Sequence, residues 1–306
     1  MRSILASVLL IIYYHNGIGQ EDFMTSKMIS QFNIFKVKLD SIQVGTAFRV
    51  DSLGNVMTNF HVIEKGFQFR GDTIEFNNNI SLESTGNLGP FTRSHKYKIH
   101  PGIISDKRMY TLAKVLDLMV LVPDYPNKRK NGYHKSEYFS FSDGFISNME
   151  GYEAWCAGYP FGMKSVVYTK GVVSGSETDI LYLANNDGGH EKVRIYNVIA
   201  DFTANQGNSG GPVLHYKKDK KKLELLGVLK ASKGPFYDYL RVFNEKYSKE
   251  YEKHIKEGTL STEEGTEALE KAIIFSILQS HNYGLNIFVS VQNVEFFLDR
   301  LYKDSH

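Results

Sequence analysis

A succession of short β-type runs fills the chain between residues 43 and 230, and no helical period comes between them. The runs are VGTAFRV (44–50), VMTNFHVI (56–63), TIEFNN (73–78), LDLMVLV (116–122), GYEAWCAGY (151–159), VVYTKGVVSG (166–175), ILYLA (180–184), VRIYNVIA (193–200) and LELLGVLKA (223–231). Gly, Asn, Asp or Pro punctuates the gaps. A parallel sheet needs crossover helices, so this spacing argues against βαβ units and predicts an all-β sandwich or barrel.

A helical period appears only past residue 235. YDYLRVFNEKYSKEYEKHIKEG and STEEGTEALEKAIIFSILQSH place apolar residues at i, i+3 and i+4 among Glu and Lys. Ser261 with Glu264 offers a capping box for the second helix. The pair predicts a helical hairpin over about 235–283, inserted between strands, because GLNIFVSV (284–291) returns to β character. QNVEFFLDRLY (292–302) predicts a terminal amphipathic helix. The polar stretch PDYPNKRKNGYHKSE (123–137) reads as the connector between two β halves, which sets domain limits at 20–126 and 127–306.

With 306 residues, 42% of them apolar, the chain can bury a substantial core in one large unit or two smaller ones packed together. A formal charge of +2 gives no argument for a nucleic acid or an anionic membrane as partner. KKDKKK (217–222) reads as a solvated hairpin tip. MRSILASVLLIIYYHNGIGQED has Arg2, an apolar run from Ile4 to about Tyr14, then Gly17 and Gly19, the layout of a secretory signal cleaved after Gly19. That run is short of the ~20 residues a span requires. A secreted or periplasmic mature form without a stable membrane span is expected, an uncleaved anchor being the other reading. Cys156 is the only cysteine, so no intrachain disulfide can form. Within YEAWCAGY it reads as a small buried hydrophobe rather than a thiol nucleophile. No spacing of His and Cys indicates zinc and no acidic loop indicates calcium, so neither metal nor cofactor is expected.

NQGNSGGPVL (205–214) sets Ser209 among three glycines just before an apolar run. By itself the stretch fits a tight turn or the seat of a nucleophile, since glycine serves wherever backbone takes positive φ or approaches another group closely. A serine hydroxyl becomes a useful nucleophile only beside a base that a third group orients. His61, in TNFHVIE after the turn DSLGN (51–55), is the candidate base; alone it also reads as a half-buried histidine. Asp117, flanked by apolar residues in VLDLMVLV, is the candidate orienter, because a buried carboxylate demands a donor. A strand-end Asp capping a turn is the other reading. The N–H groups of Gly207 and Ser209 would receive the oxygen that gains charge in acyl transfer.

Together these segments resemble the trypsin-like serine proteases of the chymotrypsin fold, in wording nearest the HtrA/Deg group. GTAFRVDSLGNVMTNFHVIE (45–64) is similar to the group's histidine segment and LDLMVLV to its aspartate strand. AGYPFGM (157–163), KGVVSG (170–175) and NQGNSGGPV complete the set, the last departing at Gln206, where proline is common. The resemblance implies two six-stranded β-barrels; the helical hairpin at about 235–283 has no counterpart in the group and would be an insertion, and the terminal helix follows from its own period. It implies His61 as general base and acid, Asp117 as its orienter, Ser209 as nucleophile, and an oxyanion hole at Gly207, Asn208 and Ser209. Polypeptides would be the substrates. Thr203, Leu229, Lys230 and Ala231 would wall the specificity pocket, where the missing acid disfavours a taste for Lys or Arg. The PDZ domain usual in the group is not expected, because strands and helices claim the residues after Gly211. The hairpin would either roof the substrate cleft or decorate the periphery. An exported serine endopeptidase is the leading function. The alternative is a catalytically silent protease-fold module that binds unfolded chains or a partner. An acyl-hydrolase of another fold fits poorly, because no helix signal follows the serine.

Overall fold

The structure is a computed structural model of the chain, and it describes residues 22–28, 30–71, 73–84, 93–124, 138–142, 149–184, 189–232, 237–259, 261–280 and 285–303. The expected signal segment and most of the 123–137 connector lie outside the described residues.

The first half of the chain forms β1 (Ile34–Leu39), β2 (Ile42–Arg49), β3 (Val56–Thr58), β4 (Phe67–Arg70), β5 (Thr73–Phe76), β6 (Ile80–Ser84), β7 (Arg93–Ile99) and β8 (Met119–Pro123). Six of these close an antiparallel barrel in the order β1-β2-β3-β8-β7-β6, while β4 and β5 pair as a separate hairpin. Closure leaves no open edge for another chain to pair with.

Two runs expected to be continuous strands are divided. VMTNFHVI is strand only to Thr58 and then makes one helical turn, α1 (Phe60–Ile63). This turn buries Phe60, Val62 and Ile63 and leaves His61 outside. Phe60 stacks on Phe67 at 5.4 Å and meets Tyr110 edge-on at 5.3 Å, so aromatic packing overrides the local strand propensity. LDLMVLV likewise begins as the end of a helix. The chain forms α2 (Pro101–Ser105) and α3 (Lys107–Leu116) before β8, neither of them expected from sequence. Their signals are present: Pro101 stands in the first helical turn, and the Asp106 side chain accepts from the Arg108 N–H at 2.7 Å. Met109, Leu112, Ala113 and Leu116 then give the buried stripe.

The second half forms β9 (Ser140–Phe141), β10 (Glu153–Gly158), β11 (Val167–Ala184), β12 (His190–Asp201), β13 (Pro212–Lys217), β14 (Lys222–Ser232) and β15 (Leu285–Ser290). The pairings run β13-β10-β11-β12-β15-β14 and return from β14 to β13, so six strands make the second ring. The short β9 adds to β14 in parallel. The runs at 166–175 and 180–184 are one strand, bulged between Val173 and Gly175. Cys156, Val173, Val198, Ala200, Val213, Leu229 and Phe288 belong to this barrel's own core. KKDKKK is the tip of the β13–β14 hairpin, and Lys217, Lys220 and Lys222 all turn to the buried carboxylate of Glu224.

Between β14 and β15 the chain makes α4 (Tyr237–Glu257) and α5 (Glu263–Ser280), the expected helical hairpin. Gly258, at φ +69°, ends α4 in a Schellman arrangement: its N–H donates to the Ile255 carbonyl and the Thr259 N–H to that of His254. The cap of α5 is Thr262 rather than Ser261. The Thr262 hydroxyl accepts from the Gly265 N–H at 3.1 Å, one residue out of register with the expected box. The terminal helix α6 (Val291–Lys303) ties the barrels together. Asn293 accepts from the Tyr196 N–H of the second barrel, and the Tyr302 hydroxyl donates to Asp51 beside the first. Among the described residues no helix is long and apolar enough to cross a membrane.

Candidate active site

His61 and Asp117 meet in the first barrel. The imidazole Nδ1 lies 2.8 Å from Oδ2 of Asp117 and 3.1 Å from Oδ1, and the His61 backbone N–H donates to Oδ1 at 3.0 Å. The contact calls for the tautomer with its proton on Nδ1, leaving Nε2 as an acceptor. The His61 side chain is 43% exposed and that of Asp117 only 10%, so the ring reaches solvent while the carboxylate behind it is shielded.

Helix α3 supplies this carboxylate through its stop signal. Asp117 takes the left-handed conformation, φ 56° and ψ 41°. Its N–H donates to the Lys114 carbonyl and the Leu118 N–H to that of Ala113, a Schellman ending. Asp is one of the few residues that tolerate this conformation without being glycine. From the other side, buried Asn59 donates its Nδ2 to the Asp117 carbonyl at 2.8 Å.

Ser209 comes from the loop between β12 and β13, in the second barrel, and its backbone rests against the first. Its carbonyl accepts from the Thr46 N–H at 2.9 Å. Gly45 is packed against both that carbonyl and Val62, the residue after His61. Gly210, at φ +81°, lies so near β3 that a Cβ there would sit 2.2 Å from Oγ1 of Thr58 and 2.9 Å from the Asn59 nitrogen. The serine backbone therefore abuts the elements that carry His61. Among the described residues no hydrogen bond joins the Ser209 hydroxyl to the imidazole.

From Gly207 to Gly211 the backbone donors of the loop divide into two sets. Asn208, Gly210 and Gly211 spend their N–H groups on the carbonyls of Asn205, Leu229 and Asn208. Among the described residues the N–H groups of Gly207 and Ser209 have no acceptor. Gly207 stands at φ +99°, and a Cβ there would fall 2.4 Å from the Tyr159 carbonyl, so only glycine fits.

The expected pocket wall is gathered less completely. Leu229 is buried and runs beside the serine loop, exchanging backbone bonds with Gly210 and Gly211. Lys230 sits at the bulge between Leu229 and Ala231, half-buried, and Ala231 continues β14 opposite Ile287. Thr203 is exposed in the loop after β12, and no hydrogen bond among the described residues joins it to Ser209. Sequence reasoning assigned no role to Thr46, Thr58, Asn59 or Phe161, although three of these lie inside its own histidine segment. Cys156 is buried among apolar residues and burial pushes its thiol up to about 12, far from a reactive thiolate. Among the described residues no cluster of His, Cys, Asp and Glu is placed to hold a metal ion.

Among solved structures, the chain is similar to the active form of the Rv3671c protease from M. tuberculosis, with 14% identity, 90% of this chain and 85% of that one covered, and a TM-score of 0.49. It is similar to Deg5, with 22% identity, 70% and 86% covered, and a TM-score of 0.44. It is also similar to the HtrA-type protease AlgW with decapeptide, with 14% identity, 89% and 63% covered, and a TM-score of 0.45. No curated protein matches the sequence. The trypsin-like peptidase domain matches residues 45–220, more than half of the chain and the span that holds His61, Asp117 and Ser209. This chain belongs to the trypsin-like peptidase family.

Proposed function

We propose that the protein is an exported serine endopeptidase that cleaves polypeptides through an acyl-enzyme. Ser209 attacks the scissile carbonyl while Nε2 of His61 takes its proton. The same imidazolium then returns that proton to the leaving amine, and a water activated by His61 releases the acyl group. Asp117 holds the ring and steadies its charge. The N–H groups of Gly207 and Ser209 receive the oxyanion, a contribution worth roughly 100- to 1000-fold in turnover per donor.

One observation supports this reading above the others: the two donors the chemistry needs, the N–H groups of Gly207 and Ser209, are both left without an acceptor among the described residues, and the imidazole of His61 is already paired with a carboxylate. A hydroxyl–imidazole bond absent from the free enzyme is compatible with this mechanism, because such bonds often tighten only with substrate bound. The layout of residues 1–19 supports export.

Labelling with a serine-directed organophosphorus probe tests the proposal. The purified mature protein should label and should degrade casein, and Ser209→Ala should do neither. Labelling that persists in the alanine variant would move the nucleophile elsewhere. A parent protein that neither labels nor cuts, yet binds unfolded casein, would establish the silent module instead.

A further inference from the structure

Thr46 lies on β2, wholly buried, and makes four hydrogen bonds to four different parts of the site. Its N–H donates to the Ser209 carbonyl at 2.9 Å. Its own carbonyl accepts from Oγ1 of Thr58 at 2.7 Å, on the strand that leads to His61. Its hydroxyl donates to the Gly207 carbonyl at 2.6 Å and accepts from the Tyr159 N–H at 3.1 Å.

Every carbonyl from Asn205 to Ser209 is bonded. Asn205 accepts from Asn208, Gln206 from Phe161, Asn208 from Gly211 and Ser209 from Thr46, all backbone N–H groups. Gly207 differs, because its carbonyl accepts from a side chain, and that side chain comes from the opposite barrel. In a trans peptide the C=O and N–H point opposite ways, so a held carbonyl aims the N–H that follows it. The Gln206 carbonyl, held by Phe161 at 2.7 Å, thus aims the Gly207 N–H away from Phe161. The next peptide plane pivots on Gly207, the residue with most backbone freedom, and two bonds stop that pivot: the Asn208 N–H on the Asn205 carbonyl within the loop and, from the opposite barrel, the Thr46 hydroxyl on the Gly207 carbonyl.

We propose that Thr46 is a positioning residue: its hydroxyl fixes the Gly207–Asn208 peptide so that the Gly207 and Ser209 N–H groups converge on one point. Through Thr58 it also holds that point at a set distance from the histidine strand. The role rests on the serine-protease reading above. A loop that rotates about Gly207 would still bind a peptide in the cleft, yet would present one donor in place of two to the tetrahedral oxygen.

The test compares Thr46→Val and Thr46→Ser with the parent in casein-peptide kinetics and in the rate of organophosphorus labelling. Thr46→Val should lower kcat and the labelling rate together by about 10- to 100-fold, with KM within about twofold, since small misplacements of catalytic groups cost up to that much. Thr46→Ser, which restores the hydroxyl, should recover both to within about threefold of the parent. Thr46→Ala carries the same prediction as the valine variant should the latter not fold. A valine variant equal to the parent, a loss confined to KM, or a serine variant as impaired as the valine one would overturn the role of Thr46 alone. A parent that neither cuts nor labels would overturn the protease reading and the role with it.

Discussion

One carboxylate holds His61 at two places: Asp117 accepts the ring Nδ1 at 2.8 Å and the His61 backbone N–H at 3.0 Å. The first contact sets the tautomer and the second sets where the ring is hinged, so the imidazole is constrained in both rotation and position. Asn tolerates the left-handed conformation that Asp117 occupies, so Asp117→Asn should fold. Its amide can favour the wrong tautomer, and turnover should fall by about 10⁴-fold. Parallel measurement of kcat and melting temperature separates this from simple unfolding. A variant within tenfold of the parent would remove Asp117 from the mechanism.

Gly210 is required by both space and backbone angle. A Cβ would lie 2.2 Å from Oγ1 of Thr58 and 2.3 Å from the Thr46 carbonyl, at φ +81°. Gly210→Ala should push the serine loop off the first barrel, destabilise the protein by about 2 kcal/mol or more, and abolish activity. Urea unfolding checks the first effect and casein cleavage the second. Equal stability would mean that the close approach of the two barrels is looser than described.

Cys156 should be silent in the folded protein. Burial raises its thiol to about 12, so iodoacetamide at pH 8 should leave the native protein unmodified and alkylate it fully once urea has unfolded it. Cys156→Ala should retain Ser209-dependent cleavage. Rapid native alkylation would contradict the packing of the second barrel's core.

His100 gives the fold an acid-sensitive point. Its Nδ1 accepts from the Gly102 N–H at 3.2 Å, which caps α2 and requires an unprotonated nitrogen. Burial lowers its pKa below the ordinary 6.5, and the charge of Asp51 opposes this only in part. The unfolded chain therefore takes up this proton at higher pH than the folded one. The stabilisation is complete above pH 6.5 and is lost as pH falls from there toward the lower folded value. His100→Asn keeps a capping side chain without the titration. The fall in urea midpoint between pH 7.5 and 5.5 should be smaller in this variant than in the parent. An unchanged fall would assign the acid sensitivity to other groups.

The strands were legible where alternation and turn residues agree, as at Ile42–Arg49 and Lys222–Ser232. The helical hairpin was legible from its period and from Gly258. Elements around the candidate site were not. Phe60, Val62 and Ile63 are strand formers by composition, yet all three are buried in a helical turn, with Phe60 packed on Phe67 and Tyr110. Asp117 looked like a strand residue because Met119–Pro123 follows it so closely, whereas Asp106 and the stripe Met109, Leu112, Ala113 and Leu116 carried an unheeded helix signal. Thr46 was invisible for a different reason. A buried hydroxyl bonded to residues more than a hundred positions away leaves no mark in local pattern.

The two barrels divide the proposed machinery between them, imidazole and acid on one, hydroxyl and oxyanion donors on the other. During synthesis the first barrel emerges with an oriented base but nothing for that base to deprotonate. On the proposed mechanism, hydrolytic competence would arise only when the second barrel has closed and seated its loop on β2. A protease built in this way would be harmless to itself and to its surroundings until folding is finished.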